Sequence, residues 1–243
     1  MPIINMVYKK KRLKPWIYHN PNLWLISLSS DGSNWITIAD KNLWATNVWN
    51  SGDTLSQANC WYYYQRWNNY WFPRTWSVTT SSTKVDASTY WPWNYYSSST
   101  FITSWWWDSS QNSNLWGNTT WTLEAAQWPC STWFHITFDI DEFRSLYNIW
   151  YSLWAWDTLT PEQMMDLLKL PKAWRRTANG NVSSQGTSGN YYMTTCSGNS
   201  WYSFSFSSTI STNNSSNYKS FWMSIRPFAN TPVVPDDSRT KLY

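Results

Sequence analysis

Between residues 25 and 49 the stretch LISLSSDGSNWITIADKNLWATNVW sets short apolar runs on either side of an Asp31–Gly32 step. That pattern predicts two short strands around a tight turn. The segment CWYYYQRWNNYWFP, residues 60–73, predicts a short aromatic strand over Tyr62 to Gln65 and then a polar loop. Residues 73 to 120 are rich in Ser, Thr, Asn and Trp and have almost no period. They read as one long irregular loop, a length that in a compact domain often carries binding function.

Two helices are expected next. Asp139 and Glu142 stand three residues apart, as a capping box requires, and Phe143, Leu146, Tyr147 and Trp150 then share a face. In TPEQ, Thr160 is the expected N-cap, Pro161 the first helical residue and Gln163 the third. Met164, Leu167 and Leu168 make its apolar stripe, and the helix should stop before Pro171. Beyond it, WYSFSFS alternates Tyr202, Phe204 and Phe206 against serines, which predicts a strand with one buried face. A last strand sets Phe221, Met223 and Ile225 on one side. Strands, a long loop, two helices and further strands predict an α+β domain of short antiparallel strands, two helices and long irregular loops. Residues 1–20 read as a basic tail or linker, 21–230 as a single domain and 231–243 as a C-terminal tail.

Charge excludes one class of partner. Lys9, Lys10, Lys11, Arg12 and Lys14 account for much of the net charge of +4, and no acid lies among the first fourteen residues. The remaining body is close to neutral, so it lacks the basic face that a nucleic-acid binder needs. No run of 18 apolar residues occurs, so no transmembrane segment is expected. No apolar stretch of the signal-peptide kind follows the N-terminal charges. The low charged fraction, 13%, and the abundance of Ser, Thr, Asn and Tyr suit an extracellular or cell-surface β-rich domain.

Glycine is scarce and tryptophan abundant, at 7 and 24 residues. At the usual frequency of about 7%, roughly 17 glycines would be expected. YWPWNYY, at 90–96, is turn chemistry if glycine stands at Trp91 and Trp93, because glycine takes φ > 0 without a steric penalty and Pro presets φ.

Five segments carry a family resemblance. ITIADKNLWAT (36–46), YYYQRWNNYWF (62–72), CSTWFHITFDIDEF (130–143), LKLPKAWRR (168–176) and FWMSIRPF (221–228) occur in this order. Together they resemble the Fibrobacter succinogenes major paralogous domain family of bacterial surface and secreted proteins, over roughly residues 25 to 230. The resemblance implies a C-type-lectin-like fold, related also to formylglycine-generating enzymes, and a module for adhesion or ligand binding without catalysis. Two alternatives are a relative of the formylglycine-generating enzymes and a retroelement-diversified variable binding protein. In the family pattern glycine stands where this chain has Trp44, Trp61, Trp67, Trp71, Trp133, Trp174 and Trp222. A gene that uses UGA for glycine, read with UGA as tryptophan, would produce that exchange, so the resemblance implies an alternative genetic code. Trp35, Trp116, Trp201 and one of Trp105 to Trp107 lie in strand-like or aromatic-tolerant contexts and are expected to be genuine. Were all of them genuine, an exposed Trp-rich carbohydrate-binding surface would be the alternative.

Candidate chemistry is sparse. Nucleophilic catalysis needs a base beside a thiol or hydroxyl, and His135 is the only internal histidine candidate. Its WFHI context reads as a packed strand end, and no catalytic residue is expected. Asp139, Asp141 and Glu142 are clustered, but helix capping explains them; Asp236 and Asp237 lie in the tail. Calcium is the cofactor that a lectin-like fold would admit. The Glu-Pro-Asn and Trp-Asn-Asp triplets of sugar-binding C-type lectins are absent, with WNN at 67–69 the nearest approach, so no cofactor is expected. In the family, the cysteine heading the third motif often has a disulfide partner near the domain's end. The segment SIRPF offers none, and the resemblance thus leaves Cys60 as the partner of Cys130, with Cys196 a free thiol. Asn199, Tyr202, Asn213, Asn214, Asn217 and Tyr218 form the most site-like feature, for an unknown protein or carbohydrate ligand. Tyr supplies rigid amphipathic area and Asn adaptable hydrogen bonding. The bland reading of the same residues is a solvent-facing polar set.

Overall fold

The computed structural model describes residues 16–20, 22–29, 33–60, 63–65, 68, 70–72, 77–86, 97–103, 130–131, 133–137, 142, 145–146, 148, 160–173, 175–183, 186–197, 200–207, 210–211, 217–218 and 221–234. In chain order the first strands are β1 (Trp16–Asn20), β2 (Leu25–Ser29), β3 (Ile36–Ala39), β4 (Tyr63–Gln65), β5 (Trp71–Phe72), β6 (Thr80–Ser81), β7 (Phe101–Ile102) and β8 (Phe134–Ile136). Then follow β9 (Arg175–Arg176), β10 (Val182–Ser183), β11 (Gly189–Ser197), β12 (Ser200–Phe206), β13 (Ile210–Ser211), β14 (Asn217–Tyr218), β15 (Trp222–Met223) and β16 (Pro227–Ala229). Helix α1 is Gln57–Cys60 and helix α2 is Pro161–Leu167; Glu142, Ser145, Leu146 and Asn148 are also helical. Mostly antiparallel strands with short helices make the chain broadly α+β, as expected.

The first sheet has the order β1-β2-β3-β16-β8. Its β2–β3 pair, with Ile26 opposite Ile38, is the hairpin expected from the apolar pattern; the Asp31–Gly32 turn itself lies outside the described residues. The segment expected as a tail over residues 1–20 contains a strand. Trp16–Asn20 are not tail, because they form β1 and pair with β2 from Trp16↔Ser29 to Asn20↔Leu25. Past β16, the Val233 amide donates to Thr37 Oγ1 at 2.7 Å, while residues 231, 232 and 234 are exposed. Strand β16 runs between β3 and β8, with Phe228 opposite both Ile38 and His135.

A second sheet, β10-β9-β15-β4-β5, contains the expected aromatic strand. Its middle strand β15 sends Trp222 between Arg176 and Gln65. Phe221, Met223 and Ile225 enter one apolar cluster, as their alternation predicts, and Trp222 enters another with Tyr63, Phe72 and Phe101. The long loop also departs from expectation. Within it, Thr80–Ser81 pair in parallel with Phe101–Ile102. Two buried side-chain amides hold that segment as well. Gln65 donates to the Ile102 carbonyl at 2.8 Å and accepts from the Ile102 amide at 3.2 Å. Asn68 does the same for Ser98, at 2.9 and 3.0 Å.

Helix α2 forms where its signals put it. Thr160 N donates to Gln163 Oε1 at 2.8 Å, and Gln163 N donates back to Thr160 Oγ1 at 3.3 Å, a complete capping box. The end is a Schellman turn: Leu170 N bonds Met165 O at 2.8 Å and Lys169 N bonds Asp166 O at 3.1 Å. Lys169 takes the left-handed conformation, φ 53°, usually given to glycine at that site. The apolar stripe matches expectation at Leu168 and departs from it at Leu167. Met165 and Leu168 are buried while Leu167 is exposed, and the side chain of Met164 lies outside the described residues. The Schellman turn brings Leu170 into the same apolar cluster as Met165 and Leu168.

The largest cluster gathers Ile26, Leu28 and Ile38 of the first sheet, Met165 and Leu168 of α2, and Tyr191, Met193, Phe204 and Phe206 of β11 and β12. Phe204 and Phe206 are buried as the alternation predicts, but Ser203 and Ser205 are buried too, so both faces of β12 are covered there. Gly189 lies directly under Phe206, whose ring would stand 2.2 Å from a Cβ at that position.

Candidate functional site

The expected polar site falls on the four-stranded sheet built on the β11–β12 hairpin. Backbone pairing joins β14 to the start of β12, with Tyr218 opposite Ser200 and Asn217 opposite Trp201. Tyr202 follows on the same strand. The backbones of Asn217, Tyr218 and Tyr202 are thereby brought to one end of the sheet. Asn199, Asn213 and Asn214 lie outside the described residues. On the other side of that end β11 pairs Cys196 with Trp201, after an irregularity between Tyr192 and Cys196.

The nearest approach to a calcium triplet is used internally. Asn68 is fully buried, and its Oδ1 accepts from the amides of both Ser98 and Tyr70, each at 3.0 Å. Its oxygen therefore serves the fold. Among the described residues no group of three His, Cys, Asp or Glu side chains could hold a metal ion.

His135 is 3% exposed, and both of its ring nitrogens are engaged. Nδ1 meets Asn230 Oδ1 and Nε2 meets Glu142 Oε1, each at 2.9 Å. Thr137 Oγ1 donates to the other oxygen of Glu142 at 2.7 Å. Glu142, expected as half of a capping box, ties a helical segment to β8; Asp139 and Asp141 lie outside the described residues. A ring held at both nitrogens has no lone pair facing a substrate, so this cluster acts as a clamp between β8, β16 and the helical segment.

The cysteine expectation is corrected. Cys60 and Cys130 are both reduced thiols, not a disulfide. Cys60 Sγ faces Asn59 Oδ1 at 3.4 Å, whereas Cys130 sits in the apolar cluster of Ile102, Ile136 and Met223. Burial pushes the Cys130 thiol well above its ordinary value, which suppresses the reactive thiolate. The side chain of Cys196 lies outside the described residues.

One polar group is not legible in the sequence, because His19 falls within the basic, tail-like stretch 1–20. From β1, His19 Nε2 meets Asp40 Oδ2 at 3.0 Å, and the Asp40 side chain is completely buried. Nearby, Arg226 spans the core: Nη1 donates to the Ala39 carbonyl at 2.8 Å and Nη2 to that of Lys169. Its guanidinium lies 6.0 Å above the Tyr191 ring, whose hydroxyl donates to the Pro171 carbonyl at 2.8 Å. Burial draws the Arg226 guanidinium below its ordinary value, while Tyr191 and Asp40 act in the opposite direction. Burial raises the Tyr191 phenol, with Arg226 opposing. The only sequence signal for this group was its position in two of the five segments, at IAD and SIRPF.

Comparison with known proteins finds no matching family model, no similar curated protein and no similar solved structure.

Proposed function

We propose that the chain is a non-catalytic module of a bacterial cell-surface or secreted protein, binding a protein or carbohydrate ligand on a C-type-lectin-like scaffold. The pairing of β14 with β12 carries this reading, because it gathers Asn217, Tyr218 and Tyr202 at one sheet end. Paratope-like surfaces use these residue types for area and adaptable hydrogen bonding. The chemistry of the interior agrees with a binding role. The His135 ring is held at both nitrogens, and the Cys60 and Cys130 thiols are buried.

The test is binding of the labelled chain to an array of immobilised glycans, with and without calcium. Saturable binding abolished by Asn217→Ala and Tyr218→Ala, at unchanged melting temperature, is the expected result. Binding that both variants leave intact would remove the site, and no binding to any glycan would remove the carbohydrate ligand. Among the described residues no helix is long and apolar enough to cross a membrane.

A further inference from the structure

We infer that positions 24 and 44 carry glycine in the natural protein, encoded by UGA codons that its host reads as glycine. Trp24 and Trp44 have φ of 56° and 63°. L-residues avoid this region because Cβ crowds the following carbonyl, and a bulky aromatic there is a true outlier.

The turn at residues 42–45 has an internal control. Ala45 N donates to Asn42 O at 2.9 Å, and Trp44 is the third residue of that turn. Eight residues further on, Asp53 N donates to Asn50 O at 3.0 Å, and the third residue is Gly52 at φ 91°. A turn with φ > 0 at its third residue is the type II pattern, which selects glycine there. Trp24 is the last of the four residues, 21–24, that join β1 to β2, and its carbonyl accepts from Asp40 N at 2.8 Å. It lies outside all five segments that carry the family resemblance, so the geometry at 24 is an independent observation.

Neither ring is in the core. Trp24 is 58% and Trp44 62% exposed, and the Trp24 ring has Lys41 Nζ at 4.0 Å from its centroid. Trp49 is the contrast. It is buried in the main cluster and is absent from the left-handed set, so backbone geometry separates it from the other two. Lys169, the third left-handed residue that is not glycine, ends a helix, a position that tolerates side chains more often. The opposing reading makes Trp24 and Trp44 a strained aromatic platform for a ligand.

Thermal melting of Trp24→Gly, Trp44→Gly and Trp49→Gly tests the inference. Each of the first two should raise the melting temperature by about 2–4 °C or more, and the third should lower it. A loss at 24 and 44 equal to that at 49 would overturn the inference. If the tryptophan-bearing chain does not fold, the gene and the peptide masses of protein from the native host decide instead. UGA codons at 24 and 44, with peptides lighter by a Trp-to-Gly exchange and UGG at 49, are expected. Indole-bearing peptides at 24 and 44 would overturn it.

Discussion

Arg226 donates a hydrogen bond to the carbonyl of Lys169, so a residue at the edge of β16 closes the C-terminal end of helix α2. The same guanidinium holds the Ala39 carbonyl of β3 at 2.8 Å. Two backbone acceptors from distant segments thus share one buried cation. Arg226→Met should leave both carbonyls unpaired and lower stability by roughly 2–5 kcal/mol in denaturant titration. Arg226→Lys should rescue little, because an ammonium lacks the planar fork that spans two acceptors. Full stability in either variant would contradict the bridging role.

Lys169 itself should be improvable. Its backbone sits at φ 53°, and its side chain meets Asn50 Oδ1 at 3.1 Å and Asp166 Oδ1 at 3.6 Å in a partly exposed setting. Such contacts contribute little. Lys169→Gly is expected to raise stability by about 0.5–1 kcal/mol, measured by the shift of the urea midpoint at unchanged slope.

The opposite holds at Gly189. A Cβ there would stand 2.2 Å from the buried Phe206 ring, with no flexible chain end to give way. Gly189→Ala should destabilise by about 1–3 kcal/mol through overpacking. The double variant Gly189→Ala with Phe206→Leu should recover part of the loss.

Asn68 anchors the segment at Ser98 from inside the fold. Asn68→Ala removes its bonds to the Ser98 carbonyl and to the amides of Ser98 and Tyr70, and the loss of these part-buried contacts should cost roughly 2–4 kcal/mol. Faster amide exchange at Ser98 and Ile102, with β2 and β3 unchanged, is the expected readout. Uniform exchange throughout would mean that the loop is held some other way.

High pH should weaken the fold. Cys130 and Tyr191 ordinarily ionise near 9.0 and 10.0, and burial raises both. The folded state therefore favours their neutral forms, and the unfolded state loses those protons first. Their contribution is fully present below the ordinary values and is lost as pH rises through about 9 to 10 and beyond. Unfolding free energy followed from pH 7 to 11 should fall with pH, less steeply in Cys130→Ala. Native Cys130 should resist thiol reagents at pH 8 until denaturant is added.

Local order was written in short stretches. Thr160, Pro161 and Gln163 specify the start of α2, because a capping box closes within four residues. The alternation at Ile26, Leu28, Ile36 and Ile38, and at Phe204 and Phe206, specifies strands, because side chains on a strand repeat every second residue. Alternation said nothing of whether the second face of β12 would be covered, since that depends on what packs over Ser203 and Ser205.

Tertiary structure alone decided the rest. His19 finds Asp40 across 21 residues, Gln65 finds Ile102 across 37, and Arg226 finds Ala39 across 187. No periodicity or cap encodes such partners. They follow from burial, which leaves each polar group to find whichever donor or acceptor the folded chain brings beside it. The same holds for the polar site, where the sequence by itself supplied Tyr202, Asn217 and Tyr218 as residue types. Pairing between β12 and β14 is what set those positions side by side, because hydrogen-bonded strands bring together residues that lie far apart along the chain.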